Sequence, residues 1–278
     1  MSAPVFLAET RLDDLVPGDR YVLDGAEGRH AGVVQRRGPG ERVDVSDGAG
    51  LRLRCVVEQV DTSRVTLLVQ EVEAEPEPGV VLTLVQALAK GDRDEMAIEA
   101  ATEVGVDAIV PWQAERSVVV WRGERAARSR ARWLATVRTA SKQARRARLP
   151  RTDVAVDSRG LAELAAQVVA AGGCVIVLHE EATTPLADVP LPVPAPTAPV
   201  DESGGAPAVL VVVGPEGGIS AGELEAFTSA GAVAARLGPH VLRTSTAGPV
   251  AVAILAERLG RWGVEPGAGT EGALPSGP

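Results

Sequence analysis

Aromatic residues and cysteines are scarce in this chain of 278 residues, and the shortage limits both its core and its chemistry. Aromatic side chains make up 3% of the sequence, so a buried core must consist mainly of Val, Leu and Ala. The two cysteines, Cys55 and Cys174, lie inside apolar runs, which favours buried reduced thiols over a disulfide framework. No CxxC pair or His/Cys cluster is present, so we expect no metal site.

Long hydrophobic runs are also missing. No apolar stretch reaches the length of a membrane-spanning helix, and the first ten residues lack the basic start and apolar run of a signal peptide. We therefore expect a soluble, cytoplasmic protein without membrane association. Hydrophobic residues still make up 45% of the chain, enough for the core of one large domain or two smaller ones.

Charge is distributed unevenly along the chain. The formal net charge of −9 argues against a general binder of polyanions. Residues 116–151, however, contain twelve basic side chains and one acid, Glu124. Such a segregated basic segment indicates a nucleic-acid partner, with a solvated helix face as the alternative.

The first 74 residues have the pattern of an all-β domain. Candidate strands cover residues 20–23, 42–46, 51–59 and 64–72, and Asp47-Gly48 is a strong hairpin signal between the second and third. Several short strands in so few residues suggest a small β-barrel over 1–74. The Glu-Pro-Glu-Pro-Gly sequence at 75–79 predicts a linker to a second domain at 80–262.

Strand and helix patterns alternate in the second domain, which predicts an α/β fold with a mostly parallel sheet. Asp92 and Ser220 are candidate N-caps, each with a glutamate three residues later. Further helices are expected over 125–147, 161–171 and 249–259, and strands over 80–87, 106–111, 174–178, 209–213 and 232–237. The composition of 189–207 predicts a flexible loop, and residues 263–278 a disordered tail.

Two bends near the C-terminal end carry the strongest functional signal. Gly214-Pro-Glu-Gly-Gly218 follows a buried strand and precedes a helix, where glycines let a ligand approach the backbone closely. Residues 237–247 follow the next strand and offer Arg243 and three hydroxyls. The alternatives are a ligand-free turn, a surface arginine, and simple helix caps at Ser245 or Thr246.

These two bends resemble the signature motifs of the SPOUT methyltransferases that modify uridine N3 in bacterial small-subunit ribosomal RNA, the RsmE family. Residues 90–106, 115–117 and 143–150 are similar to further elements of that family, as are Arg29-His30 and the hairpin at 40–50. The resemblance implies an α/β SPOUT domain with a C-terminal trefoil knot, preceded by a small PUA-like β-barrel. It also implies a homodimer that methylates N3 of one uridine in the 16S rRNA of the small ribosomal subunit.

The resemblance further implies where ligands bind. S-adenosylmethionine would lie among three loops, contacted by Leu178, His179, Glu180, Gly214, Pro215, Glu216, Gly217, Gly218, Leu237, Gly238, Val241, Leu242, Arg243, Thr244, Thr246 and Ala247. The charge pattern adds candidate RNA contacts from the basic segment and from the N-terminal barrel, where Arg52 and Arg54 alternate on one strand. The full set expected to contact RNA is Arg29, His30, Arg36, Arg37, Arg52, Arg54, Arg116, Arg138, Lys142, Arg145, Arg146 and Arg148. Of these, Arg138, Lys142 and Arg145 are expected on one face of the long helix.

Uridine N3 carries a proton at neutral pH, so the enzyme must promote its loss or stabilise the resulting anion. Arg243 is the candidate for anion stabilisation and Glu216 the candidate base. Alternatively, Glu216 orients backbone amides or binds an interface arginine. Ser245 stands where many relatives carry glutamate, which weakens a mechanism with that glutamate as the base. His179 is expected to contact the cofactor through its backbone. The alternative is a metal-binding or acid/base role.

Two rival functions remain open. One is methylation of a ribose 2′-hydroxyl by the same fold, although Arg243-Thr-Ser-Thr246 replaces the Asn-containing motif typical of those enzymes. The other is a non-catalytic RNA-binding protein or ribosome assembly factor that retains the fold.

Overall fold

A computed structural model describes residues 3–193 and 206–263, which contain two separate β-sheets. The N-terminal sheet has five strands: β1 (Val5–Leu7), β2 (Arg20–Leu23), β3 (Arg42–Ser46), β4 (Leu51–Asp61) and β5 (Arg64–Ala74). Their order is β1-β3-β4-β5-β2, and only the β1–β3 pair is parallel. The four predicted strands are confirmed, whereas β1 was missed because three residues are too few to show a period.

The predicted hairpin at Asp47-Gly48 is confirmed between β3 and β4. The Asp47 carboxylate accepts hydrogen bonds from the amides of Ala49 and Leu51, at 2.7 and 3.0 Å. Gly48 has a φ of +75°, a conformation that side chains disfavour. Sequence inspection missed the short helix α1 (Gly25–Arg29) and the π-helical turn His30–Val34 that follows β2.

The second sheet has seven strands: β6 (Val81–Ala87), β7 (Ala108–Gln113), β8 (Arg151–Thr152), β9 (Val156–Asp157), β10 (Cys174–Leu178), β11 (Ala208–Val213) and β12 (Val233–Ala235). The order is β12-β10-β11-β6-β7-β8, and β9 also pairs with β7. Every pairing is parallel, which confirms the predicted α/β class. The central strands are mainly apolar because helices cover both faces, with Thr83 and Gln86 as buried polar residues in β6.

Five helices cover this sheet: α2 (Arg93–Glu103), α3 (Gly123–Gln143), α4 (Ser158–Ala170), α5 (Ala221–Ser229) and α6 (Thr244–Arg258). On one face, Ile98 of α2, Trp133 of α3 and Leu255 of α6 share a buried cluster. On the other face, Leu161 of α4 and Phe227 of α5 share a second. No helix in the described ranges is both long and apolar enough to cross a membrane.

The last helix begins at Thr244, five residues before the predicted start at Pro249. Its N-cap is Arg243, which makes no side-chain capping bond, so the alternative of Ser245 or Thr246 as N-cap was wrong. Pro249 lies inside the helix and has no amide hydrogen for the carbonyl of Ser245. The prediction failed because proline was taken to mark a helix start.

The long helix α3 ends at Gln143 rather than residue 147. Arg145 lies beyond that end with a φ of +55°, so the predicted shared face of Arg138, Lys142 and Arg145 is wrong. Asp92 is the N-cap of α2 but makes no side-chain cap bond, since the amide of Glu95 donates to the Asp94 carboxylate at 2.9 Å. The Glu95 side chain pairs with Arg132 and so does not complete the predicted capping box. The capping box at the start of α5 is confirmed with both of its hydrogen bonds.

The last turn of α3 and the segment after it contact the N-terminal part of the chain. Ser46 donates to the carbonyl of Ala147 at 2.7 Å, and Arg148 donates to the carbonyl of Glu75 at 2.7 Å. Lys142 donates to the carboxylate of Glu27 at 2.8 Å.

Two predicted segments fall largely outside the described residues: most of the loop at 189–207 and, except for residue 263, the tail at 263–278. Val189 is fully buried, so it does not belong to a solvated loop.

Candidate functional site

The three loops expected to form the site leave the same edge of the parallel sheet. Strands β10, β11 and β12 are neighbours, so their carboxyl ends lie side by side. The loop after β10 is fixed to β12, because His179 N donates to the carbonyl of Ala235 at 3.0 Å and Leu186 N to that of Arg236 at 2.8 Å. The predicted segments 178–180, 214–218 and 237–247 are therefore brought to one edge.

A buried threonine joins the two bends. The hydroxyl of Thr244, at the start of α6, donates to the carbonyl of Gly214 at 2.8 Å. The side-chain amide of Gln86 donates to the same hydroxyl at 2.9 Å, so β6 also takes part. Gln86 is fully buried, and its Oε1 has no hydrogen-bond partner among the described residues. Sequence reasoning missed Gln86, although a polar residue inside an apolar strand was the available signal.

The glycines of the first bend allow close approach within the chain. Gly218 has a φ of +72°, and its amide donates to the carbonyl of Pro215 at 2.9 Å. A Cβ on Gly217 would lie 3.0 Å from the Cβ of Arg116, whose guanidinium donates to the Gly217 carbonyl at 3.1 Å. Arg116, expected to contact RNA, therefore lies directly against the loop expected to hold the cofactor.

Glu216 is tied to the segment that opens α2. Its Oε1 accepts hydrogen bonds from the Arg93 guanidinium at 2.8 Å and from Lys90 N at 3.2 Å. Partial burial acts to raise the pKa of Glu216, but hydrogen bonds from its own amide, from Arg93 and from Lys90 outweigh it, and the pKa is lowered. A lowered pKa makes a carboxylate a weaker base. The geometry favours an orienting role, in which Glu216 is held by Arg93 of the same chain.

Glu223 is a second carboxylate that sequence reasoning used only as part of a cap. Its side chain is 5% exposed and accepts from Ser220 N at 2.9 Å, Glu115 N at 2.6 Å and the Ser158 hydroxyl at 2.6 Å. It thus connects the starts of α4 and α5 with the loop after β7. Because Glu115 precedes Arg116, Glu223 also fixes the backbone from which Arg116 reaches the first bend.

The second bend presents apolar side chains beside unused polar groups. Val241 is 77% exposed and Leu242 is also exposed. Among the described residues, the amides of Gly238, Val241 and Leu242 and the guanidinium of Arg243 make no hydrogen bond. Exposed aliphatic groups next to free amides suit a ligand that combines a flat ring with heteroatoms.

Residues 75–256 match the family described as RNA methyltransferase domain. A curated protein named ribosomal RNA small subunit methyltransferase E, from Mycobacterium tuberculosis, is 44% identical over 262 residues and is matched over 94% of both chains. Its namesake from Bacillus subtilis is 30% identical over 82% of this chain and 86% of its own. The chain belongs to this methyltransferase family. The resemblance inferred from the bends is thereby confirmed.

Solved structures of the family agree with this fold. A ribosomal RNA small subunit methyltransferase E from Neisseria gonorrhoeae, bound to S-adenosyl methionine, superimposes with a TM-score of 0.77 at 26% identity, over 92% of this chain and 98% of its own. A protein from Legionella pneumophila, in complex with the bound cofactor SAM, gives a TM-score of 0.76 at 27% identity, over 93% of this chain and 98% of its own.

Many of the basic residues expected to bind RNA are engaged within the chain. Arg37, Arg52, Arg54, Lys142, Arg146 and Arg148 each pair with a carboxylate or donate to a backbone carbonyl. The imidazole of His30 lies 3.0 Å from the side-chain amide of Gln35 and packs edge-on against Phe6. Five are exposed: Arg29, Arg36, Arg116, Arg138 and Arg145. The sequence could not reveal this, since Lys142 and Glu27 are 115 residues apart.

Proposed function

We propose that this chain is an S-adenosylmethionine-dependent methyltransferase that modifies N3 of one uridine in the 16S rRNA of the small ribosomal subunit. The observation that carries the proposal is the hydrogen bond from Thr244 to Gly214, which joins the two family motifs into one site. Relatives at 30–44% identity are named small-subunit ribosomal RNA methyltransferases, which supports the substrate class.

The residues of the three loops fit the cofactor. Exposed Val241 and Leu242 suit a purine ring, and the free amides of the second bend suit its heteroatoms. The full set proposed to hold it is Leu178, His179, Glu180, Gly214, Pro215, Glu216, Gly217, Gly218, Leu237, Gly238, Val241, Leu242, Arg243, Thr244, Thr246 and Ala247. When bound, the cofactor supplies an electrophilic methyl group.

Arg243 is the residue we assign to the uracil. Its side chain is exposed and free of any carboxylate partner in the described structure, so its charge is available to a substrate. A guanidinium beside the uracil oxygens stabilises the anion that forms when N3 loses its proton. With Glu216 held by Arg93, the proton leaves to solvent without a dedicated carboxylate base.

The domain organisation follows the same proposal. Residues 1–74 form a PUA-like barrel that binds RNA through Arg29, Arg36 and neighbouring side chains, 75–79 are the linker, and 80–262 form the SPOUT domain. A trefoil knot around α6 is supported by Arg258, which donates from that helix to the carbonyls of Leu186 and Val189 at 2.9 and 2.6 Å. The active unit is a homodimer with the site close to the subunit interface, which sedimentation analysis would test.

Titration calorimetry with S-adenosylmethionine separates the enzyme from a non-catalytic assembly factor. Binding heat is expected for the enzyme, and its absence would favour the assembly factor. Nucleoside mass analysis of methylated 16S rRNA then separates base methylation from ribose methylation. N3-methyluridine is the expected product, and a 2′-O-methylated nucleoside would contradict the proposal.

A further inference from the structure

We propose that substrate RNA crosses the catalytic edge along four arginines, Arg116, Arg122, Arg125 and Arg128, here called the arginine track. This inference rests on the proposed function, because it takes the substrate to be RNA. It assigns the main phosphate contacts to the N-terminal end of α3, whereas the sequence pointed to its C-terminal end.

The side chains of the arginine track are available to a ligand. All four side chains of the track are exposed. Within the described ranges their only carboxylate contact joins Arg128 to Glu124 at 3.9 Å, with both side chains largely exposed, and such a pair contributes little. At the other end of α3, Lys142 is held by Glu27 and Arg146 by Asp107 and the Thr102 carbonyl. Recruiting those residues would break internal contacts, whereas the track is free.

The arginines of the track on α3 lie at the N-terminal end of that helix, at the catalytic edge of the sheet. Strand β7 runs into the segment that starts α3, so the N-terminus of α3 lies at the same sheet edge as the three loops. Arg132 pairs with Glu95 in the first turn of α2. At 1.5 Å per residue, Arg128 and Arg125 lie roughly 6 and 10 Å nearer the N-terminus of α3 than Arg132. Arg125 and Arg128 therefore lie beyond the start of α2, at the catalytic edge of the sheet. Lys142 lies about 15 Å from Arg132 in the opposite direction along the helix.

The arginine track starts at the candidate site, because Arg116 contacts the first bend. Arg116 uses one guanidinium nitrogen on the Gly217 carbonyl, which leaves other donors for a phosphate. Between Arg116 and Arg122 lie two exposed valines, Val118 at 72% and Val120 at 37%. Cations that flank apolar side chains match the alternation of phosphates and bases in an RNA strand.

Salt-dependent binding of unmodified 16S rRNA tests the track. The variant Arg122→Gln/Arg125→Gln/Arg128→Gln removes three charges and keeps Arg116 in contact with Gly217. The logarithm of the RNA-binding constant falls linearly with the logarithm of the salt concentration, and each phosphate contact contributes about 0.7–0.9 to the steepness of that line. We therefore expect the line for the variant to be less steep by about 2. The matched control is Arg11→Gln/Arg20→Gln/Arg159→Gln, three exposed arginines outside the basic segment, which should leave the slope at the wild-type value.

The outcomes separate this inference from the proposed function. A reduced slope with unchanged S-adenosylmethionine affinity supports the track, and a wild-type slope overturns it. A wild-type slope together with a lower sedimentation mass would assign the surface to a protein partner and would also overturn it. The proposed function would be contradicted by a different result, namely that the wild-type protein transfers no methyl group to the RNA.

Discussion

The hydroxyl of Thr244 donates a 2.8 Å hydrogen bond to the carbonyl oxygen of Gly214, although the two residues are 30 positions apart. Thr244 is 7% exposed and opens α6, and Gly214 opens the glycine-rich bend after β11. This single contact makes one site of two loops and allows a direct test of how strongly they depend on each other.

Replacing Thr244 with valine keeps the shape and removes the hydroxyl. The carbonyl of Gly214 and the amide of Gln86 then lose a partner, at a cost of about 1–3 kcal/mol. We expect titration calorimetry to show S-adenosylmethionine affinity weaker by about five- to 150-fold. Thr244→Ser retains the hydroxyl and should bind like wild type. Wild-type affinity in Thr244→Val would contradict the role of the bridge.

Arg243→Ala should lower turnover by about 10²–10³, the usual effect of losing one charge-stabilising donor. Cofactor affinity should stay close to wild type, because only the backbone of Arg243 is assigned to the cofactor and its guanidinium is assigned to the uracil. Single-turnover methylation and calorimetry measure the two effects separately. Arg159→Ala, an exposed arginine on α4, serves as control. Loss of cofactor binding in Arg243→Ala would show that the Arg243 side chain contacts the cofactor and not the uracil.

Glu216→Gln distinguishes a base from an orienting carboxylate. Its ion pair with Arg93 is partly exposed, so losing it should cost about 1 kcal/mol or less, or about fivefold in turnover. Arg93→Ala removes the same pair and should give a similar decrease. Neither change should shift the pH dependence of turnover. A loss of several orders of magnitude in Glu216→Gln alone would restore the glutamate as the base.

Asp94 predicts a pH-dependent stability. Burial raises the pKa of its carboxyl from 3.8 to about 6, and backbone hydrogen bonds from Glu95 and Ala89 offset only part of this. Because the folded-state pKa is the higher one, ionisation opposes folding. The free energy of unfolding therefore falls as pH rises from about 4 to 6 and stays lower above it.

Asp94→Asn mimics the protonated form and should raise the unfolding free energy by about 3 kcal/mol at pH 8. At pH 5 the gain should be about half as large. Urea denaturation at both pH values measures it, with exposed Glu99→Gln on the same helix as control. An equal gain at pH 5 and pH 8 would show that the carboxyl does not titrate in this range.

Sequence periodicity predicted most strands and helices because their signals are local. The Ser220–Glu223 capping box and the Asp47-Gly48 hairpin depend on residues a few positions apart, and both are present. The start of α6 was misplaced because Gly248 and Pro249 are poor residues for a helix interior. Gly248 is tolerated there because it packs against β6, where a Cβ would lie 3.1 Å from the Leu84 side chain.

The site was predictable where a motif names it and not where distant residues meet. The two bends are contiguous in sequence, so their residues could be identified directly. The partners of Gln86 and Arg93 could not be identified, since these residues reach Thr244 and Glu216 across 158 and 123 positions. For Gln86 the sequence offered only a polar residue inside an apolar strand. The same limit affected the basic segment, where Arg132 and Lys142 pair with Glu95 and Glu27 of other elements.

Mass mapping of 16S rRNA tests the central claim most directly. Unmodified small subunits and free 16S rRNA would each be incubated with the protein and S-adenosylmethionine, digested, and compared with RNA treated with Arg243→Ala. The account predicts one N3-methyluridine at a single position with the wild-type protein and about a hundredfold less with the variant. A methyl group on a ribose, or no methyl group with either substrate, would contradict it.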